Sequence, residues 1–284
     1  MVESRYDRQV LAFGQKGQKG IEAARVGVVG VGGIGSHIVQ SLSYLGVRSF
    51  TLVDPDRADI TSLNRLVGAS PEDVEAGTLK VDIARRQIMQ LDPTRTVTVV
   101  PNSLRTRTAL EAISACSVIF GCVDNDGARL ILSELASAYA AVLFDCATEI
   151  FKDGERISDI GGRVVMARAH EYCLLCAEQM DIEQAKWDLA SPSSRETRKA
   201  HGYGLGEEVP SPAVISLNGV VANLAVTEFL MWATRVREPV QHLTYHAWRG
   251  NVNVRTVNSR EDCFICRGLA GIRDAANIFR YALD

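Results

Sequence analysis

The run Val28-Val29-Gly30-Val31-Gly32-Gly33-Ile34-Gly35 constrains this chain more than any other part of it. It follows a short β-branched stretch, Ala24 to Gly30, and precedes an apolar helical pattern from Ser36 to Leu45. Gly30, Gly32 and Gly35 satisfy G-x-G-x-x-G between a strand and a helix. In that context the missing side chains let backbone approach phosphates, and the helix N-terminus supplies positive potential. A second apolar strand, Ser49 to Val53, ends at Asp54, where a carboxylate can accept hydrogen bonds from ribose hydroxyls. This βαβ unit closes on two acids, Asp54 and Asp56, both expected at the cofactor. It predicts a nucleotide site and leaves NAD and ATP equally open.

The alternation then continues. A helix is expected from about Thr78 to Leu91, a strand over Thr96 to Val100, a helix over Arg107 to Cys116 and a strand over Ser117 to Cys122. A helix from about Asp126 to Ala138 and a strand over Ala141 to Cys146 follow. Continuous apolar strands alternating with helices predict an α/β, Rossmann-like, mostly parallel sheet with helices on both faces. At 284 residues and 46% hydrophobic content the chain can form one such domain. Its expected parts are an N-terminal helical arm (1–24), a nucleotide-binding core (25–150) and a smaller C-terminal part. Residues 177–212, rich in Ser, Gly, Pro and charge, are expected as a mobile crossover loop, with His201 a solvated lone histidine. The stretch Ala213 to Thr234 is apolar enough to suggest a membrane span, but Asn218, Asn223 and Glu228 favour a helix buried in the protein or between subunits. Residues 267–284 are expected as a short amphipathic helix. A net charge of −3 argues against a nucleic-acid partner. The charged opening MVESRYDRQV argues against a signal peptide, so a cytoplasmic protein without a membrane partner is expected.

Charged residues beyond the glycine cluster discriminate between cofactors. Asn64 and Arg65 follow the ribose acid, and Lys80 starts the next helix. A hydride-transfer enzyme has no need of these cations, whereas a triphosphate does: Arg65 offers a planar fork and Lys80 a point charge. Asp124, Asn125 and Asp126 lie just past a strand end, on the edge where open α/β sheets bind ligands. A carboxylate there can hold Mg²⁺, and N-capping by Asn125 or Asp126 would leave Asp124 free for it. Four of the seven cysteines form two C-x-x-C pairs, Cys173/Cys176 and Cys263/Cys266, which supply the four soft ligands of a tetrahedral Zn²⁺ site. A redox pair and unrelated buried thiols are the alternatives.

In order, Gly30-x-Gly32-Gly33-x-Gly35, Asp54, Arg65, Lys80, Asp124 and the paired C-x-x-C motifs resemble the ubiquitin-activating-enzyme-like family, also called the ThiF/MoeB/HesA family. The opening Ser4-Arg5-Tyr6-Asp7-Arg8-Gln9 is similar to that of its prokaryotic members, and the likeness runs from Arg5 to Cys266. The resemblance implies an adenylyltransferase that binds ATP and Mg²⁺. The C-terminal Gly-Gly carboxylate of a small ubiquitin-like or sulfur-carrier protein would attack the α-phosphate, giving an acyl-adenylate and pyrophosphate. It further implies that Asp54 binds ribose, that Arg65 and Lys80 bind phosphates and that Asp124 binds the metal ion. Arg8 would act in trans, reaching the ATP site of the partner subunit in a homodimer. Arg8, Arg65, Lys80 and Asp124 are thus the expected catalytic set, and Gly30, Gly32, Gly33, Gly35, Asp54, Asp56, Asn64 and Asn125 join them at the cofactor.

Two departures qualify the resemblance. Ser62 stands where the family commonly has Asn, so Asn64 is expected to take over its phosphate contact. No cysteine lies between Cys176 and Cys263, and Glu207 and Glu208 fall near the place of the family's loop nucleophile, so the reaction is expected to stop at the adenylate. Cys122 and Cys146 could face the site, although a buried small hydrophobe is the simpler reading of each. Alternative expectations are adenylation of a short peptide or a tRNA base, a non-catalytic nucleotide-binding scaffold and, last, a dehydrogenase.

Overall fold

The computed structural model describes residues 4–191 and 212–283. Helix α1 (Asp7–Ala23), bent at Gly14, leads into β1 (Arg25–Val29), α2 (Gly33–Leu45) and β2 (Ser49–Val53). After a short helix α3 (Pro71–Glu75) come α4 (Lys80–Leu91), β3 (Thr96–Val100), α5 (Arg107–Ser114), β4 (Val118–Gly121) and α6 (Asp126–Ala138). Strands β5 (Val142–Asp153) and β6 (Arg156–Ala167), helices α7 (Ile182–Leu189) and α8 (Ile215–Thr234), and strands β7 (His242–His246) and β8 (Asn251–Arg255) complete the order. These elements agree with the expected alternation through β4 and α6, with helix ends shifted by a few residues.

The strands form one sheet in the order β3-β2-β1-β4-β5-β6-β7-β8. The pairs from β3 to β5 are parallel, and those from β5 to β8 are antiparallel. β4 is buried along its whole length, as a strand covered on both faces must be. The antiparallel half is an addition to the expected core: β5 runs beyond Cys146 to Asp153, turns through Gly154 at φ 62° and returns as β6. The sheet therefore extends past the expected boundary at residue 150.

Helix α8 covers the sheet, packing on α2, α1, β5 and β6. Phe120 stacks on Phe144 at 5.2 Å between centroids, and Phe229 of α8 meets Phe120 edge-on at 6.0 Å. By length and apolarity α8 is the one helix among the described residues that could cross a membrane. Its buried face nevertheless carries Asn218 and Glu228. The Glu228 carboxylate accepts two bonds from Arg237, at 2.8 and 2.7 Å, and one from the Val240 N–H, at 2.7 Å. A buried carboxylate so paired fixes the turn after the helix and belongs to a protein core, as the sequence reading expected.

Two expectations need correction. The C-terminal segment 267–284 is not one amphipathic helix: it forms two short 3₁₀ turns, Arg273–Ala276 and Ile278–Tyr281, separated by Asn277 at φ 50°. A left-handed residue there stops α-helical propagation. The expected crossover loop 177–212 contains α7, capped by the Asp181 side chain on the Gln184 N–H at 2.9 Å. His201, Glu207 and Glu208 lie outside the described residues. Removing the Phe229 ring empties the junction of α8 with β4 and β5, so Phe229→Ala is expected to cost about 3–5 kcal/mol, measured by chemical denaturation.

Candidate active site

The parallel strands change direction of progression between β1 and β4, and ligands of open α/β sheets bind outside the strand C-termini at such a point. Here the backbone is packed too closely for side chains. Gly30 has φ 85°, and a Cβ on it would lie 2.4 Å from the Cys122 carbonyl oxygen. A Cβ on Gly35 would lie 2.0 Å from the Gly30 oxygen, so the first turn of α2 rests directly on the loop. Gly32 is different, because nothing stands within 4 Å of its added Cβ. Gly32 is also the N-cap of α2 and gives no side-chain bond to the helix start. The α2 start is thus uncapped by any side chain and open beside Gly32, which leaves its positive end available to an anion.

Asp54 directly follows β2 and is 5% exposed. Its Oδ2 accepts the Val31 N–H at 2.6 Å and its Oδ1 the Asp56 N–H at 2.8 Å. The carboxylate therefore ties the glycine loop to the loop after β2. Burial pushes its carboxyl above the ordinary range, against the pull of the two N–H donors and Lys80. Each oxygen retains a lone pair that a ribose hydroxyl could use.

The cations stand on the same edge. Lys80 is the first residue of α4 and pairs with Asp56 at 2.7 Å. Arg65 donates to the Thr61 carbonyl and to Asn64 Oδ1, and its Cδ lies 3.7 Å from where a Gly33 Cβ would stand, over the start of α2. The loop bearing Arg65 is fastened on two sides. Ser36 Oγ accepts the Val67 N–H at 3.1 Å. Arg86 donates to both Asp73 oxygens, at 2.7 and 2.6 Å, and to the Gly68 carbonyl at 2.9 Å. The Arg86 fork holds the Asp73 carboxyl down at about 2.

Ser62 is 3% exposed; its N–H donates to Asp59 Oδ1 and its Oγ accepts the Asp59 N–H, closing a capping box. It is a turn former that faces inward, which removes it from the phosphate contacts, whereas Asn64 is exposed. Asn125 is the N-cap of α6: its Oδ1 accepts the Ala128 N–H at 2.8 Å. Asp124 is exposed and accepts one bond, from Asn125 Nδ2 at 3.2 Å. Of the two uses considered for this acidic run, capping falls to Asn125, and the Asp124 oxygens remain open to a cation.

Arg8 is not brought to this edge. Its neighbours are tied to the opposite end of the sheet: Arg5 donates to the Leu91 carbonyl at 2.9 Å and Gln9 to the Tyr44 carbonyl at 3.3 Å. A five-residue strand separates the two edges by about 17 Å, more than one arginine can span. Cys146 is buried, and contact with the Cys122 thiol together with burial pushes its own thiol well above the ordinary value. Cys146 is thus no accessible nucleophile, and Cys122 is half-buried.

Cys173, Cys176, Cys263 and Cys266 are all buried, with their sulfurs within 4.8 Å of one another. Cys173 and Cys263 approach to 3.5 Å, and Cys176 and Cys266 to 3.8 Å. Four sulfurs at about 2.3 Å from one tetrahedral metal ion would stand about 3.8 Å apart, so the cluster has the dimensions of such a site. Burial pushes the Cys173 thiol up to about 12, a penalty that a cation bound among the four sulfurs would offset by stabilising its thiolate.

Sequence reasoning did not find a cleft of about 500 Å³ beside Asp126, whose lining includes Arg129, Glu149, Arg163, Glu178 and Arg260. Beneath it Asp145, fully buried, pairs with Arg163 and stands 3.5 Å from Arg129 Nε. The spacing of Asp126 and Arg129, three residues apart at a helix start, was the available signal.

Two outcomes test the site. Gly35→Ala forces backbone apart and is expected to abolish folding or lower stability by more than about 3 kcal/mol, whereas Gly32→Ala costs about 1 kcal/mol and reduces nucleotide affinity. Denaturation and calorimetry with ATP separate the two. One tightly bound metal ion per chain is expected by elemental analysis, and its removal by a chelator should lower Tm; a metal-free protein of unchanged Tm would count against the cluster as a metal site.

A sequence model of the ThiF family matches residues 6–265. Curated relatives include a probable molybdopterin-synthase adenylyltransferase of Porphyra purpurea, 31% identical over 35% of this chain and 26% of that protein. The adenylyltransferase and sulfurtransferase UBA4 of Kluyveromyces lactis is 31% identical over 46% of this chain and 30% of its own length. The sulfur carrier protein adenylyltransferase of Thermus thermophilus is 32% identical over 46% of this chain and 49% of its own. These matches thus span half or less of each relative. The crystal structure of E. coli MccB with ATP superposes with a TM-score of 0.70 at 17% identity, covering 93% of this chain and 74% of that one, which shows a shared fold. With the glycine loop, the β2 acid and the cations arranged as described, and the family match running over nearly its whole length, the chain belongs to the ThiF family.

Proposed function

We propose that this chain is an ATP-dependent adenylyltransferase that activates the C-terminal carboxylate of a small ubiquitin-like or sulfur-carrier protein ending in Gly-Gly. The observation that carries the reading is the convergence, on one sheet edge, of an uncapped helix start at Gly32 with Arg65, Lys80 and the open carboxylate of Asp124. A carboxylate is a poor electrophile. Its attack on the α-phosphate forms a mixed anhydride with AMP and breaks the bond to pyrophosphate, whose developing charge needs cations held in place beforehand.

In this reading Asp54 takes the ribose while bracing the loop, the α2 start and Gly32 take phosphate, and Arg65 and Lys80 stabilise the departing pyrophosphate. Asp124 would hold Mg²⁺, an ion that neutralises phosphate charge when bound. Arg8, remote from its own nucleotide edge, serves the partner's site in a homodimer. The four cysteines hold Zn²⁺ in a structural role. With Cys146 buried and no cysteine between Cys176 and Cys263, the reaction ends at the adenylate. The protein acts in the cytoplasm, where ATP is supplied.

A second reading, a peptide carboxylate as acyl donor, is favoured by the likeness to MccB, solved in complex with N-formylated MccA and matching 93% of this chain. Carrier-dependent exchange of pyrophosphate into ATP decides. Asp124→Ala is expected to reduce it at least about a hundredfold with Tm nearly unchanged. Undiminished exchange would remove Asp124 from the metal role, and exchange stimulated by peptides but by no Gly-Gly protein would install the second reading.

A further inference from the structure

The stretch that presents Asp124 is an irregular turn between β4 and α6, and its carboxylate can hold a cation in one place only if that turn is rigid. Arg129 supplies the rigidity. From the first turn of α6 its Nη2 donates to the Val123 carbonyl at 3.1 Å, and its Nη1 to Asp126 Oδ1 at 2.7 Å. Its Nε faces the fully buried Asp145 at 3.5 Å. One guanidinium thus hydrogen-bonds the residue before Asp124 and the residue two after it, and faces the neighbouring strand as an ion pair. Asp126 spends its other oxygen on the Asp181 N–H at 2.9 Å, and Asp188 of α7 accepts the Gly127 N–H at 3.0 Å. The turn is therefore clamped from inside by Arg129 and from outside by the segment that follows Cys176. Among the described residues, Asp124 is left as the carboxylate of this stretch without an ion pair.

We propose that Arg129 is a positioning residue: by holding Val123 and Asp126 to the buried Asp145, it fixes the Asp124 carboxylate where the metal ion of the nucleotide must sit. The inference rests on the reading of Asp124 as the metal-holding residue. It requires directed donors and not charge alone, because only a planar fork donates to a carbonyl and a carboxylate together while keeping its charge against a second carboxylate.

Arg129→Lys is the discriminating variant, since it keeps the positive charge beside Asp145 and loses the fork. ATP binding is followed by calorimetry with Mg²⁺ and with EDTA, alongside amide hydrogen exchange of residues 123–128. The variant is expected to bind metal-free ATP within about twofold of wild type, to lose about tenfold of the affinity that Mg²⁺ adds, and to exchange the 123–128 amides at least about tenfold faster while β1 and β4 stay protected. A wild-type gain from Mg²⁺ with unchanged exchange overturns the proposal. Loss of protection throughout β1 and β4 also overturns it, since Arg129 would then be a general structural ion pair. Should Arg129→Lys fail to fold, Arg129→Gln combined with Asp145→Asn removes one charge of each sign and is judged by the same two readouts. If wild type gains nothing from Mg²⁺, the metal role of Asp124 in the proposed reaction falls, and the exchange comparison by itself decides on Arg129.

Discussion

Everything at the nucleotide edge depends on a close approach of backbone to backbone. Gly30 sits against the Cys122 carbonyl and Gly35 against Gly30, so β1, β4 and α2 meet without intervening side chains. Only this contact brings the helix start down to the level of the strand ends, where its N–H groups and the β4 turn face the same space. Asp54 then locks the arrangement, one oxygen on the glycine loop and one on the next loop. Two hydrogen bonds to a charged acceptor contribute about 1.5–3 kcal/mol each and offset part of the cost of burying the carboxylate, which still titrates above the ordinary range because burial outweighs them.

A second buried carboxylate organises the other side of the site. Asp145 lies between Arg129 and Arg163, under a cleft whose rim carries further acids and Arg260. Buried ion pairs of this kind add little net stability, because desolvation offsets the Coulombic gain, but they are costly to rearrange. Through Arg129 the cluster is tied to the turn around Asp124.

The parallel half of the sheet was legible in the sequence because its strands are continuous apolar runs separated by helical periods, and because Gly30, Asp54 and Lys80 fall at its element ends. The antiparallel half was not. β5 carries exposed residues over its outer part, and the two-residue turn at Gly154 was its principal signal. The partnership of Asp145 with Arg163 follows from that hairpin: Arg163 pairs with Ala147 and Val165 with Asp145, which sets the two charges diagonally on one face. Without the register the ion pair has no sequence trace. Helix α7 was hidden for another reason, since only Ala185 of its eight residues is buried and its apolar period is correspondingly weak. At the C-terminus the periodic pattern was present, but left-handed Gly271, Arg273 and Asn277 interrupt it.

The cations show why residue identity told more than residue position could. Arg65 rests on Thr61 and Asn64, and Lys80 on Asp56, so each cation has a partner within the chain. Asp56 is largely exposed, and an exposed pair of this type is held by only about 0.2–1 kcal/mol. A triphosphate, the ligand proposed for this edge, offers several charges and, to arginine, a bidentate acceptor, and would outcompete local partners of this strength. The contacts with Thr61, Asn64 and Asp56 hold the two side chains on the same sheet edge. In the proposed reaction the same lysine and arginine would serve two successive partners, while the exposed Asp124 stays on a turn held by Arg129.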